Sequence, residues 1–366
     1  MIKLLSRYLF RQTVRGIVLA AIVISALLFV VDFVELSRRM GDQPDIAMSR
    51  ILYFAMLKMP AMIEQTLPFM VLFGVMWALF LLNRRSELVA MRAATLSAWQ
   101  FALPALLMAL ILGVAGTAAL NPLASSLDAA YEKERTRLLT SADSDKNAIQ
   151  NTMWFREAVD GGIVVIRAGN VIARDALLYD LSFYYYTREA DGTPQVRHRI
   201  DAAKATLKPG FWQLYNARDL SLEQAPKTYD TLALPTRIAP SALLQNSGDR
   251  VNFSIYALPE MIEQARKAGF DTRPYRIQMH QLLSLPLTLA AMALIGAAFS
   301  FNFVRLGGAL RLALIAGSAG FALYFSSDLL ESLGASKVLP PLVAVWAAPV
   351  FVFFAALARI TMLEDG

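Results

Sequence analysis

Residues 93–127 read AATLSAWQFALPALLMALILGVAGTAALNPLASSL, 35 positions without a single charge. A membrane span needs roughly 20 apolar residues to cross ~30 Å of hydrocarbon, so the run is long enough to hide two helices. Pro104 near its start and Asn121-Pro122 near its end leave room for one, from about Phe101 to Leu120. Five further uncharged runs cover residues 16–31, 65–83, 277–304, 312–327 and 338–358. The two runs of 16 residues reach span length by extending to flanking charges that snorkel to the interface. With one helix in 93–127, three spans precede residue 128 and three follow residue 276.

The stretch between them has a different composition. Residues 128–276 carry 20 Lys/Arg and 19 Asp/Glu, 26% of 149 positions, which matches the ~25% of a water-soluble domain. The remaining 217 residues hold 15 basic and 10 acidic groups, so the net +6 divides as +1 in the middle and +5 in the flanks. A thin excess spread over many loops is not the concentrated basic face that nucleic acid requires. With 56% hydrophobic and 17% charged residues, a disordered chain is excluded, and the composition argues against an ordinary cytosolic enzyme. The fold class is therefore an α-helical membrane protein of three plus three spans around an inserted soluble domain.

An odd number of spans before the insert puts it on the side opposite the N-terminus. Lys3, Arg7, Arg11, Arg15, Arg84, Arg85, Arg92, Arg305, Arg311 and Arg359 all fall on one side, which the Lys/Arg bias makes cytoplasmic, together with both termini. The insert then faces outward. A basic start before an apolar run also resembles a signal peptide, but no small-residue cleavage site follows and residues 32–39 are charged. The expectation is an uncleaved span preceded by an interfacial helix, whose basic residues at four-residue intervals rest on anionic headgroups.

The insert reads as all-β. Trp154-Phe155 and residues 162–166 flank the turn signal Asp160-Gly161, residues 181–186 precede a second turn at 190–194, and Lys208-Pro209-Gly210 separates residues 203–207 from 211–215. Short strands at this spacing predict a sandwich or an open, jellyroll-like roll, since no helix-period stretch separates them. Helical segments at 127–139 and 259–268 frame it, the second ending at Gly269.

Catalytic signatures are missing. The chain has no cysteine, and neither His198 nor His280 has a second histidine at metal spacing. No G-x-x-x-x-G-K-[ST] loop occurs, so a non-catalytic chain without its own cofactor is expected. Gly317-Ser318-Ala319-Gly320, with Ala313 and Ala316, reads as a small-residue surface for close helix packing.

The loop between spans 2 and 3, residues 84–97, reads RRSELVAMRAATLS. Ser86 suits a helix start, Glu87 suits its positive end, and Leu88, Met91 and Leu96 form an apolar edge beside Arg92. Such a segment, taken as residues 84–98, is either an interfacial turn lying on lipid or a docking element for a groove on a cytoplasmic partner.

Residues 85–94, RSELVAMRAA, resemble the coupling-helix motif of the LptF/LptG permease family, the membrane subunits of the lipopolysaccharide export ABC transporter. The likeness extends along the chain through Pro60, Leu67-Pro68, Trp154-Phe155 and residues 275–279, and Phe33-Val34-Glu35 followed by Arg38-Arg39 is closer to the LptG branch. The resemblance implies a permease of a Gram-negative inner membrane with a periplasmic β domain. It also implies pairing with LptF, an LptB dimer that hydrolyses ATP with magnesium, and LptC, which together pass lipopolysaccharide to a β-bridge. It assigns ATPase coupling to Ser86, Glu87, Leu88, Met91 and Arg92.

Substrate phosphates are assigned by the same resemblance to Arg38 and Arg39, which as surface arginines equally suit lipid headgroups. The family's basic positions after span 3 fall on Ala129 and Glu132, with Lys133, Arg135 and Arg137 close by as substitutes. Asp32 and Thr95 also depart from the family, which usually has a basic residue and glycine there. Phe69, Met70, Phe73, Met76 and Trp77 read either as the lining of an acyl-chain cavity or as a lipid-facing stripe. Lys58 and Glu64 are candidates to pair, although a helix entering from the interface explains them better, and Asp328 and Glu331 are expected in headgroup water.

Two other functions are compatible with composition alone. A secondary transporter needs broken helices and mid-membrane ion-binding groups, of which spans 3, 5 and 6 carry almost none. A membrane-anchored receptor or scaffold would use its β domain for strand addition.

Overall fold

The computed structural model describes residues 2–40, 47–87, 91, 97–141, 153–159, 162–172, 176–188, 194–208, 210–221, 225–236, 238, 252–267, 271–300 and 309–365. Helices α1 (Ile2–Met40), α2 (Met48–Arg84) and α3 (Ala98–Ala115) come first. A π-helical segment, Gly116–Leu120, joins α3 to α4 (Asn121–Ser141). Six strands follow: β1 (Met153–Val159), β2 (Gly162–Ile172), β3 (Leu177–Arg188), β4 (Pro194–Lys208), β5 (Phe211–Ser221) and β6 (Lys227–Pro235). Helices α5 (Leu258–Lys267), α6 (Arg273–Ser300), α7 (Ala309–Ala335) and α8 (Pro341–Asp365) complete the chain. Six helical stretches among the described residues are long and apolar enough to span a membrane: Leu5–Arg38, Met48–Arg84, Ala98–Glu134, Arg273–Ser300, Ala313–Ala335 and Pro341–Met362. Three precede the sheet and three follow it, as the charge pattern predicts.

Two boundaries differ from expectation. The basic N-terminal segment is not a separate interfacial helix, because α1 runs unbroken from Ile2 to Met40. Residues 93–127 do contain one helix, but neither proline end stops it. Pro122 has no amide N–H to offer the carbonyl of Ala118, four residues earlier, and its ring crowds that carbonyl. The backbone widens to π geometry across Gly116–Leu120, and the hydroxyl of Tyr256 donates to the Ala118 carbonyl at 3.1 Å.

The chain divides into two compact units, the first comprising residues Met1–Tyr131, Asn252–Pro259 and Tyr275–Gly366. Within it α2 and α6 are the most buried helices, and their apolar residues Met70, Leu72, Val75, Leu289, Met292 and Leu294 form the centre of the core. Close helix approach depends on glycine. A Cβ at Gly74 would lie 2.4 Å from the Ile17 Cα of α1, and one at Gly113 would lie 2.3 Å from the Pro286 Cα of α6, so any side chain would force these helices apart. Gly320 of α7 packs on Leu72, and Ala316 is fully buried, which is the close packing expected of that small-residue run. By contrast, α1 exposes Val18, Ile22, Val23 and Leu27, and α7 exposes Leu314, Phe321 and Phe325.

The second unit, residues Glu132–Val251 and Glu260–Pro274, holds the sheet. Its six strands lie in sequence order, each antiparallel to the next, as an open meander. The hairpins fall where the turn signals place them, with Val159 opposite Gly162, Arg188 opposite Pro194, and Lys208 opposite Phe211. Alternation puts Phe155, Ile166, Phe183, Ile200, Trp212 and Leu214 on one buried face. Trp212 anchors it, its ring 5.8 Å from Phe183 in a near-perpendicular arrangement and 6.4 Å from Phe155.

Candidate functional site: the inter-span loop and the polar helix contacts

At the end of α2, the amide of Arg85 donates to the Leu81 carbonyl at 3.2 Å and that of Ser86 to the Asn83 carbonyl at 2.9 Å. Ser86 has φ of 58°, the left-handed geometry that closes a helix. It closes α2, and Glu87 directly after it and Met91 further on are helical. Helix α3 is capped by Ser97, extended at φ −69° and ψ 148°, whose Oγ accepts from the Trp99 amide at 3.1 Å. Glu87 Oε2 accepts a 2.8 Å hydrogen bond from the hydroxyl of Tyr8 on α1, and Glu87 Oε1 lies 3.9 Å from Arg85. Met91 is helical, half-buried and packed against the helical core. Leu88 and Arg92 lie outside the described residues.

The far halves of α1 and α2 are joined by charge. Lys58 Nζ donates to Asp32 Oδ1 at 2.8 Å and stands 5.7 Å from the centre of the Tyr131 ring, which Phe54 meets edge-on. Glu64 is not the partner of Lys58. It accepts from Asn252 Nδ2 at 3.0 Å, while Asn252 Oδ1 accepts from Asn121 Nδ2 at 3.1 Å and Asn121 Oδ1 accepts from the Ile255 amide at 2.8 Å. This chain of amides ties the 252–256 segment to α2 and α4. Nearby, Thr117 Oγ1 donates to the Leu282 carbonyl at 2.7 Å. That carbonyl is released because Pro286, four residues on, has no N–H. Glu331, expected in headgroup water, accepts from Gln281 Nε2 at 2.5 Å.

In the sheet unit, Tyr185 stacks on His198 at 5.2 Å, His198 contacts Asp219, and Thr236 Oγ1 donates to Glu157 Oε2 at 2.6 Å. Burial, followed by the charges of Glu157 and Asp219, pushes the Tyr185 phenol above its usual pKa.

The profile of the family described as lipopolysaccharide export system permease LptF/LptG matches residues 7–362. The chain belongs to this family. It is 24% identical over 362 residues to the lipopolysaccharide export system permease protein LptG of Haemophilus influenzae, covering 95% of this chain and 94% of that protein. The Escherichia coli K12 protein of the same name is 22% identical over 346 residues, covering 93% of this chain and 92% of its own. An LptF/LptG permease is a multi-pass inner-membrane subunit of lipopolysaccharide export, and the six spans and inserted sheet agree with that.

The candidate residues of an LptF/LptG permease are distributed as follows. Arg38 is exposed near the end of α1 in the helical unit, and Lys133 is exposed on α4 in the other unit. The side chains of Arg39, Arg135 and Arg137 lie outside the described residues. Of the supposed cavity set, Met70 is fully buried in the helical core and so lines no open cavity. Phe69 meets Tyr324 at 5.6 Å, Phe73 and Met76 are half-buried, and Trp77 is exposed beside Phe80. Sequence reasoning missed Tyr8 as the support of Glu87. A tyrosine in the basic N-terminal stripe, on the same membrane side as the 84–97 loop, was the available signal.

Proposed function

We propose that this chain is the LptG-type subunit of the exporter, oriented with both termini and the 84–97 loop in the cytoplasm and the sheet in the periplasm. Support for the reading comes from the family match over residues 7–362, which includes that loop between the second and third spans. LptF completes the membrane pore, and LptC joins it. The LptB dimer, holding ATP and magnesium, docks on the loop through Glu87, Leu88 and Arg92, with Ser86 setting the turn and Met91 anchoring it to the core. Closure transmitted through the tie from Glu87 to Tyr8 moves α1 against its neighbours. Arg38 and Arg39, with Lys133, Arg135 and Arg137, contact lipopolysaccharide phosphates, for which guanidinium and ammonium groups are suited. Phe69, Phe73, Met76 and Trp77 present apolar surface to its acyl chains. The open sheet edges at β1 and β6 accept neighbouring β domains and continue the bridge.

The deciding experiment is reconstitution with LptB, LptF and LptC in liposomes, followed by ATP-dependent release of lipopolysaccharide. Release is expected to collapse in the Glu87→Ala/Arg92→Ala double variant while the assembled complex persists. Undiminished release would remove the coupling role.

A further inference from the structure

A groove of about 620 Å³ opens among α6, α7 and α8, away from the loop and the polar contacts described above. Its wall is apolar: Ile295 and Phe299 come from the last two turns of α6, Ala322 and Leu330 from α7, and Phe351 from α8. Alanines on all three helices leave the space that larger side chains would fill. Arg359 is the one charged residue among the described lining, and it sits in the last turn of the Pro341–Met362 span. No carboxylate among the described residues pairs with it.

An empty apolar space of this size forfeits dispersion contacts along its whole wall, so in a bilayer it is filled. Length selects the occupant. Ala347 and Arg359 bound the α8 side of the groove twelve residues apart, or about 18 Å at ~1.5 Å per residue. That is close to the ~15 Å depth of one leaflet and about half of what a spanning helix requires. Charge selects the headgroup, because a guanidinium at the mouth of the groove pairs bidentately with a phosphate.

We propose that this groove holds one acyl chain of an anionic glycerophospholipid of the cytoplasmic leaflet, with its phosphate on Arg359. The leaflet rests on the orientation given under Proposed function. Lipopolysaccharide, whose phosphates lie at the opposite surface, is not the occupant.

The test places a small diazirine amino acid at position 322 of the full-length chain. It is irradiated in membranes containing phosphatidylethanolamine and phosphatidylglycerol, and the adduct is weighed by mass spectrometry. A phospholipid adduct is expected, enriched in phosphatidylglycerol about five-fold over its membrane share, the effect of one basic residue near an anionic surface. Arg359→Gln should return the adduct to the membrane share, and Arg359→Lys should keep part of the enrichment. An adduct to protein or lipopolysaccharide, or enrichment unchanged in Arg359→Gln, overturns the proposal. Thr361→Cys labelling in intact cells tests the orientation separately. Access only from the periplasm would overturn the orientation and the leaflet with it, whatever the adduct.

Discussion

Lys58 Nζ and Asp32 Oδ1 lie 2.8 Å apart and join α2 to the charged end of α1. The Asp32 side chain is 9% exposed and that of Lys58 32%, so the carboxylate depends on the ammonium more than the reverse. Lys58→Ala strands a buried carboxylate, at a cost of about 3 kcal/mol. The Asp32→Ala/Lys58→Ala double variant is expected to melt above the Lys58→Ala single variant in detergent, because it removes both charges. Additive losses in this cycle would show that the pair is not coupled.

The Tyr8 hydroxyl and Glu87 form a hydrogen bond at a partly exposed site, worth only about 1 kcal/mol to folding. Its expected effect is on coupling. Tyr8→Phe should leave the melting temperature within about 2 °C and ATP hydrolysis by the complex near its usual rate, while lowering lipopolysaccharide released per ATP several-fold. Equal release per ATP in the two proteins would rule out a transmitting role for Tyr8.

Most of the architecture was legible because both of its signals are local. Charge-free runs gave the spans, and the turn residues at 160–161, 190–194 and 208–210 gave three hairpins whose paired ends lie where expected. The misreadings share one cause. Asn121-Pro122 reads as a helix end, but the cost of a proline in a membrane helix depends on whether another group takes the released carbonyl. Here Tyr256 does so for Ala118, 138 residues away in sequence. The Lys58 partner was missed in the same way, since Asp32 is a neighbour only after α1 has packed on α2. Met70 and Phe69 are adjacent in sequence, yet only Met70 is fully buried, a distinction set by which helices surround α2. Tertiary pairing is what periodicity cannot carry.

Leu282 and Thr117 provide a direct measure of that pairing. Thr117→Val keeps the shape but leaves the Leu282 carbonyl without a donor, at a cost of about 1–2 kcal/mol in an apolar setting. Thr117→Ser should be nearly neutral. Adding Pro286→Ala to Thr117→Val supplies an amide four residues beyond Leu282 and should recover much of the lost stability in thermal unfolding. If Pro286→Ala gives no recovery, the missing donor was not the cause.

Tyr185 gives the sheet a predictable response to alkali. Its phenol is held above the usual pKa of about 10 by burial first and then by Glu157 and Asp219. Below pH 10 the group is protonated in folded and unfolded chains alike, so it adds no slope. Above pH 10 the unfolded chain gives up the proton while the folded sheet retains it. The unfolded state then binds fewer protons, and stability falls with rising pH until the folded phenol also ionises. Other tyrosines and lysines titrate in this range, so the informative quantity is a difference between proteins. Tyr185→Phe keeps the ring on His198 and removes the proton. Its unfolding midpoint should fall less steeply above about pH 10 than that of the unaltered protein, with parallel curves below pH 9. Parallel curves over the whole range would mean that the phenol is not protected in the folded sheet.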